Sequence, residues 1–229
     1  MNICFFSLVT CRHGIKGGME VHVKLLSEGL AERGNKVTII STNNPKGIEF
    51  EEINGVSMYY LRNTIFDSKR GEWTTASLKK FIELEALNGF DVVCSISTVI
   101  PREVISLAGK REIPVVVMSE GPEITILQSE IKQTLSRRSG FKGLIRTILA
   151  FFYYYCLWEL SFKEYDAVIA VSESAANAIQ KWYFVDKDKI HTVYNGIETD
   201  FFYPNQEQNE RIRRTLAIAH NEKILLFFS

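Results

Sequence analysis

With 229 residues, 46% of them apolar and 24% charged, the chain is too apolar for a disordered or collagen-like polypeptide, and its four cysteines are too few for a disulfide-stapled one. Its 27 basic and 27 acidic residues cancel, with a sequence pI near 6.9, so no global basic field points to nucleic acid. The length allows one large domain or two small ones, enough to bury about two-thirds to three-quarters of the unfolded surface.

The first element, Asn2 to Val9, is apolar, but no Lys or Arg precedes it and no small-residue cleavage pattern follows. It reads as a strand rather than a signal peptide. The segment Thr10 to Glu20 then reads Thr-Cys-Arg-His-Gly-Ile-Lys-Gly-Gly-Met-Glu and leads into an amphipathic helix. In that helix Val21, Leu25, Leu26, Gly29 and Leu30 form one face, Lys24, Glu28 and Glu32 the other, and Gly34 ends it. Gly17 and Gly18 can adopt positive φ and bring bare backbone near a ligand. The free N–H groups and positive dipole end of a helix favour an anion such as phosphate. The spacing Gly14-x-x-Gly17-Gly18 is neither the dinucleotide fingerprint nor a Walker loop. A plain turn is the alternative; placement after the first strand favours a phosphate cradle.

Further strands are expected at Lys36 to Thr42, Ser57 to Leu61, Asp91 to Ile96, Pro114 to Ser119, Asp166 to Val171, Ile190 to Tyr194 and Lys223 to Phe228. Runs such as Pro114-Val-Val-Val-Met suit strands covered on both faces. Helices are expected at Thr74 to Leu87, Pro101 to Arg111, Glu173 to Tyr183 and Gln206 to Leu216. The alternation describes an α/β fold, a Rossmann-like doubly wound parallel sheet that takes ligands beyond the carboxyl ends of its strands. His22 lies inside the first helix and reads as a packed residue. Cys4, Cys11, Cys94 and Cys156 show no C-x-x-C pair and no zinc-finger spacing, so reduced thiols in a cytosolic protein are expected and structural metal is not.

No acidic residue lies between Glu130 and Glu159, whereas Lys132, Arg137, Arg138, Lys142 and Arg146 do. The neutral total therefore hides a stretch of +5 set against −5 elsewhere. Ile148 to Trp158 follows as eleven apolar or aromatic residues in a row, too short for a membrane span of about twenty. Two readings stay open. A basic, Tyr/Trp/Phe-rich segment suits an anionic lipid surface, or a lipid-diphosphate acceptor beside the cleft; equally, its aromatics suit a helix packed across the sheet.

From Glu164 the chain reads Glu-Tyr-Asp-Ala-Val-Ile-Ala-Val-Ser, then a helix, then Asp188-Lys-Ile-His-Thr-Val-Tyr-Asn-Gly-Ile-Glu-Thr-Asp-Phe-Phe-Tyr-Pro204. Ser172 suits a helix N-cap or a ligand contact, and Asn195-Gly196 suits a type I′ or II turn. Asn195, Gly196, Ile197, Glu198, Phe202 and Pro204 match in order an element of the amino-terminal domain of retaining GT-B glycosyltransferases of the family 4-like, group 1 kind. The chain resembles that domain from Met1 to Ser229, and Gly17-Gly18-Met-Glu20 fits the family's opening. The resemblance implies one half of a GT-B fold and transfer of a sugar from a nucleotide-sugar to a saccharide or lipid-linked acceptor, with no metal or other cofactor. It puts Gly17 and Gly18 near the donor's diphosphate or sugar, Arg12, His13, Glu20 and Ser172 on the acceptor side of the cleft, and Asn195 and Gly196 at the hinge. Many members carry a His after a Pro-Val-Val-Val-x-x pattern, beside the transferred sugar; here that place holds Glu120, a candidate catalytic carboxylate.

By the same resemblance residues 1–204 form the acceptor-side domain, and 205–229 the linker and first strand of a nucleotide-binding domain whose remainder is not in this sequence. The chain alone is then expected to be inactive. The competing readings are a non-catalytic acceptor- or membrane-binding module and a subunit of a split transferase. Cell-envelope polysaccharide or glycolipid synthesis, in the cytoplasm or peripherally at the inner face of the membrane, is the expected setting.

Overall fold

The computed structural model describes residues 1–14, 17–64, 70–121, 145, 148–149, 152 and 159–225. The chain divides into two compact units, Met1–Asn195 and Gly196–Ser229.

The first unit is built on one eight-stranded sheet. Its strands are β1 (Asn2–Phe6), β2 (Lys36–Thr42), β3 (Phe50–Ile53), β4 (Val56–Leu61), β5 (Val92–Ile96), β6 (Val115–Ser119), β7 (Ala167–Ala170) and β8 (Ile190–Thr192), in the order β3-β4-β2-β1-β5-β6-β7-β8. All neighbours are parallel except β3, which runs antiparallel to β4. The helices are α1 (Gly18–Glu32), α2 (Arg70–Asn88), α3 (Arg102–Lys110) and α4 (Glu173–Tyr183), with α5 (Gln206–Thr215) in the second unit.

Because side chains alternate along a strand, a strand buried on both faces must be apolar at every position. In β1, Ile3 and Phe5 join Val23 of α1, with Val37, Ile39, Met58, Cys94 and Ile96, in one core layer. Cys4 and Phe6 join Trp73, Phe81 and Leu84 of α2, Val104 and Ala108 of α3, and Ile179 and Tyr183 of α4 in the other. The continuous apolar run predicted for β1 is thus split residue by residue between two cores. Asp91 and Asp166 pin the strand starts, accepting from the N–H groups of Asn2 at 2.7 Å and Val115 at 2.8 Å.

α1 ends as expected. Gly34 sits at φ +83°, and the N–H groups of Gly34 and Asn35 donate to the carbonyls of Ala31 and Leu30. β3 was not expected from the sequence. It is the outer strand of a hairpin whose turn is Asn54 (φ +50°) and Gly55 (φ +77°), the left-handed pair that a two-residue type I′ turn requires.

The second unit carries α5, capped by Asn205, whose Oδ1 accepts from the Gln208 N–H at 3.0 Å. Residues 223–225 are not in a strand, and the rest of the strand expected at Lys223 to Phe228 lies outside the described residues.

Candidate functional site

β1 occupies the middle of the sheet. β2 lies on one side of it and β5 on the other, so the winding reverses there, and it is beyond the carboxyl ends of the strands at such a reversal that sheets of this kind take ligands. Small polar residues, Ser7, Thr10, Ser95, Thr98 and Ser119, are buried at or just past the carboxyl ends of β1, β5 and β6. Ser97, just past β5, is left-handed at φ +59°, a conformation costing a non-glycine residue on the order of 1 kcal/mol. Its N–H donates to the Met118 carbonyl at 2.8 Å, tying the ends of β5 and β6 together.

The loop after β1 is shaped by side chains. Thr10 caps a short 3₁₀ turn, Cys11–His13, and Gly14 leaves it at φ +82°. The Thr10 N–H donates to His13 Nδ1 at 3.1 Å, which leaves the ring proton on Nε2 to be donated to the Thr42 carbonyl at 3.2 Å. Both ring nitrogens are thereby engaged with backbone, and the ring lies edge-on to Tyr60. Arg12 forks onto Glu51 of β3, Nε to Oε1 at 2.9 Å and Nη2 to Oε2 at 2.7 Å, and the Tyr60 hydroxyl donates to the same carboxylate at 2.7 Å. The Arg12 hydrogen bond, aided by that of Tyr60, holds the Glu51 carboxyl below its ordinary pKa, whereas burial pushes the Tyr60 hydroxyl up.

Gly17 and Gly18 do not use positive φ. Gly17 is extended at φ −93° and Gly18 is the first residue of α1. The reason for glycine at 17 is space. A Cβ there would lie 2.6 Å from Glu20 Oε2, which accepts from the Gly17 N–H at 3.0 Å. Glu20 so caps α1 from within its first turn while only 6% exposed. The Cys11 thiol donates to its carbonyl, and Arg12, Glu20, Cys11 and Lys24 line one cavity of about 190 Å³ between α1 and the β3–β4 hairpin.

Glu120 follows β6 and belongs to a second cluster. Its Oε2 accepts from the Asn195 amide at 3.3 Å; its Oε1 is buried with no hydrogen-bond partner and lies 3.8 Å from Nε2 of His22 on α1. His22 was not expected to take part. The signal for it was its place one turn into the helix that follows the glycine loop. Neither Asn195 nor Gly196 has positive φ, so the expected turn is absent and the Asn195 side chain is spent on Glu120 instead. Ser172 caps α4, its Oγ accepting from the Ala175 N–H at 3.1 Å.

Arg137, Arg138, Lys142 and Arg146 lie outside the described residues. Of the segment that follows Lys142, Ile145, Ile148, Leu149 and Phe152 are described; all four are helical and exposed, Phe152 by 63%. Among the described residues no helix is long and apolar enough to cross a membrane, and no three His, Cys, Asp or Glu side chains gather as a metal site.

The chain is 27% identical over 219 residues to an uncharacterized glycosyltransferase of Methanocaldococcus jannaschii, covering 93% of this chain and 51% of that one. Among solved structures it is similar to sucrose-phosphate synthase from Thermosynechococcus elongatus, with a TM-score of 0.67 and 14% identity over 96% of this chain and 53% of that one. It is also similar to Anabaena HepE in complex with UDP and glucose, with a TM-score of 0.51 and 13% identity over 95% and 50%. The chain thus spans about half the length of the proteins it matches, and these structural likenesses establish the fold alone. The family model described as Glycosyltransferase Family 4 matches residues 16–201, from the glycine loop to past Asn195, and the chain belongs to that family.

Proposed function

We propose that the chain is the acceptor-side half of a retaining glycosyltransferase, which moves a sugar from a nucleotide-sugar to a saccharide or lipid-linked acceptor in cell-envelope polysaccharide or glycolipid synthesis. The observation that carries this reading is the approach of Glu120, just past β6, to His22 of α1, the helix that follows β1. The carboxylate lies 3.8 Å from the ring of His22, a residue about one turn into α1, and the free N–H groups and dipole at the amino end of that helix suit a diphosphate without calling on a metal. A negative charge so placed opposes the positive charge that develops at an anomeric carbon as its bond to phosphate breaks. The UDP and glucose held by the Anabaena protein fit the same class of donor. The hinge reading of Asn195 and Gly196 is supported by the division of the chain between them.

The test uses the full-length protein with UDP-glucose and other nucleotide-sugars, oligosaccharide and lipid acceptors, and proton NMR of the product's anomeric centre. Transfer with retained configuration is expected, and Glu120→Gln is expected to lower turnover about a hundredfold. An inverted product overturns retention, absence of transfer overturns the transferase, and unchanged turnover in Glu120→Gln makes Glu120 a loop residue only.

A second reading, attachment to an anionic membrane surface, is favoured by the exposure of Ile145, Ile148, Leu149 and Phe152, spaced to fall on one helical face next to the cationic stretch. Each cation near such a surface contributes about 1 kcal/mol, screened by salt. Flotation with phosphatidylglycerol-containing vesicles at low salt is expected, and its loss in Leu149→Ser/Phe152→Ser. Equal recovery of wild type and variant with the vesicles, or no flotation, overturns it.

A further inference from the structure

A cavity of about 410 Å³ lies between α2 and the β3–β4 hairpin, at the edge of the sheet. That volume falls in the range of about 300–1,000 Å³ that small-molecule sites occupy. Phe50 of β3 and Tyr59 and Leu61 of β4 line it toward the carboxyl end of β4, where the Tyr60 N–H donates to the Glu49 carbonyl at 2.8 Å. The cavity is thus at the end of the sheet where α/β folds take ligands, but on the far side of β2 from the reversal at β1.

Its hairpin side is aromatic. Phe50 and Tyr59 stand directly opposite each other across the hairpin, with ring centroids 4.8 Å apart and planes tilted by 44°. Lys80 of α2 lies over the Tyr59 ring, its Nζ 5.3 Å from the centroid, so that ring already has a partner. Phe50 is left 50% exposed. Alternation puts Glu52 on the same face of β3, and that residue is charged and exposed as a solvated edge strand requires. Phe50 breaks the pattern at the one position where the strand borders the cavity. A ligand with an apolar face removes that ring from water.

The charges around the cavity select the rest of the ligand. Arg62 pairs with Glu49, and Lys80 pairs with Glu83 at 2.8 Å. Lys79 also lines the cavity, and Glu83, four residues further along α2, is within its reach but is spent on Lys80. Among the described residues Lys79 has no ion pair. Three cations against two carboxylates leave a balance of one positive charge, which a single carboxylate neutralises. A phosphate monoester carries about −1.5 to −2 and would leave excess negative charge facing Glu49 and Glu83. A pyranose has a C–H face that covers an aromatic ring, and a uronic acid adds one carboxylate to it.

We propose that this cavity is a subsite for a uronic acid unit of the acceptor, with its ring laid on Phe50 and its carboxylate paired with Lys79. The saccharide class rests on the reading above, whereas the place and the charge come from the cavity itself. The acceptor is then an acidic polysaccharide or glycolipid.

The test is ligand-observed saturation-transfer NMR on the full-length protein with methyl β-D-glucuronide, methyl β-D-glucoside and glucose 6-phosphate. Each is taken to about 100 mM, well past the millimolar affinity that a few contacts provide. The glucuronide is expected to bind about threefold to fivefold more tightly than the glucoside at low salt. Lys79→Gln should abolish that preference and its salt dependence, and Lys79→Arg should keep both. Phe50→Ala should weaken both glycosides about fivefold. Lys36→Gln, which removes a cation at the amino end of β2, should change neither. Phe50 and Lys79 are exposed, and circular dichroism checks that each variant folds. In the full-length enzyme Lys79→Gln should raise KM for an acidic acceptor, leaving kcat and the KM for a neutral acceptor unchanged.

Absence of saturation transfer, equal affinity for glucuronide and glucoside, tighter binding of glucose 6-phosphate, or unchanged affinity in Phe50→Ala and Lys79→Gln overturns the subsite. Those results leave the transferase standing if the full-length protein forms product. Conversely, a glucuronide preference that Lys79→Gln removes supports the subsite even where transfer fails.

Discussion

Replacing Gly17 by Ala and Gly18 by Ala should have opposite effects, although the residues are adjacent and neither has positive φ. At Gly17 a Cβ meets Glu20 Oε2 at 2.6 Å, so the carboxylate must leave the Gly17 N–H it now accepts from. Losing a cap costs about 0.5–2 kcal/mol. Stranding a carboxylate that is only 6% exposed adds about 1 kcal/mol or more, and the stiffer unfolded chain returns about 0.4–1 kcal/mol. The net is a destabilisation of about 1–2 kcal/mol. At Gly18, the first helical residue, a Cβ meets nothing within 4 Å, and the same backbone effect should stabilise by about 0.4–1 kcal/mol. The two variants should therefore differ by about 2 kcal/mol, or about 4–8 °C in Tm for a chain of this size. Urea and thermal unfolding by circular dichroism measure the difference, with Glu20→Ala completing the cycle. If Gly17→Ala costs as much with Glu20 absent as with it present, the glycine is not there to make room for the carboxylate.

Three further outcomes follow from the same geometry. The Glu51 carboxyl is held below its unfolded pKa of about 4.3 chiefly by Arg12, so its contribution is present above that pH and is lost as pH falls through the folded-state value; urea midpoints of Glu51→Gln should fall less steeply than wild type on acidification below about pH 5, and parallel curves would count against the fork. Burial raises the Cys4 thiol pKa and pushes Cys94 up to about 12, and Cys11 is only partly buried, so in a Cys156→Ser background a thiol reagent should label Cys11 first and the other two at the rate of unfolding. Ser172→Ala should destabilise by about 1 kcal/mol through loss of the α4 cap, and if the full-length enzyme then keeps its kcat and KM, Ser172 is a cap alone.

The sheet was legible where burial on both faces forces an unbroken apolar run, as in β1 and β6, and where an aspartate marks the strand start, as at Asp91 and Asp166. β3 was missed because Phe50-Glu-Glu-Ile53 carries two carboxylates, one of which is there to meet Arg12 from the loop after β1. Its signal was the Asn54-Gly55 pair, a hairpin turn read from two residues rather than from hydrophobicity.

At the site, sequence alone determined that a glycine loop opens a helix after the first strand, and that a carboxylate, Glu120, follows the Pro-Val-Val-Val strand. Tertiary structure decided what these do. It turned Gly17 from a flexible position into room for Glu20, tied His13 and Arg12 into the loop, and brought Asn195 to Glu120 across 75 positions of sequence and His22 to its other oxygen. The reason is physical: periodicity and turn chemistry act over a few residues and can be read locally. The partner of a buried polar atom depends on which strands become neighbours, and that depends on how the sheet winds about β1.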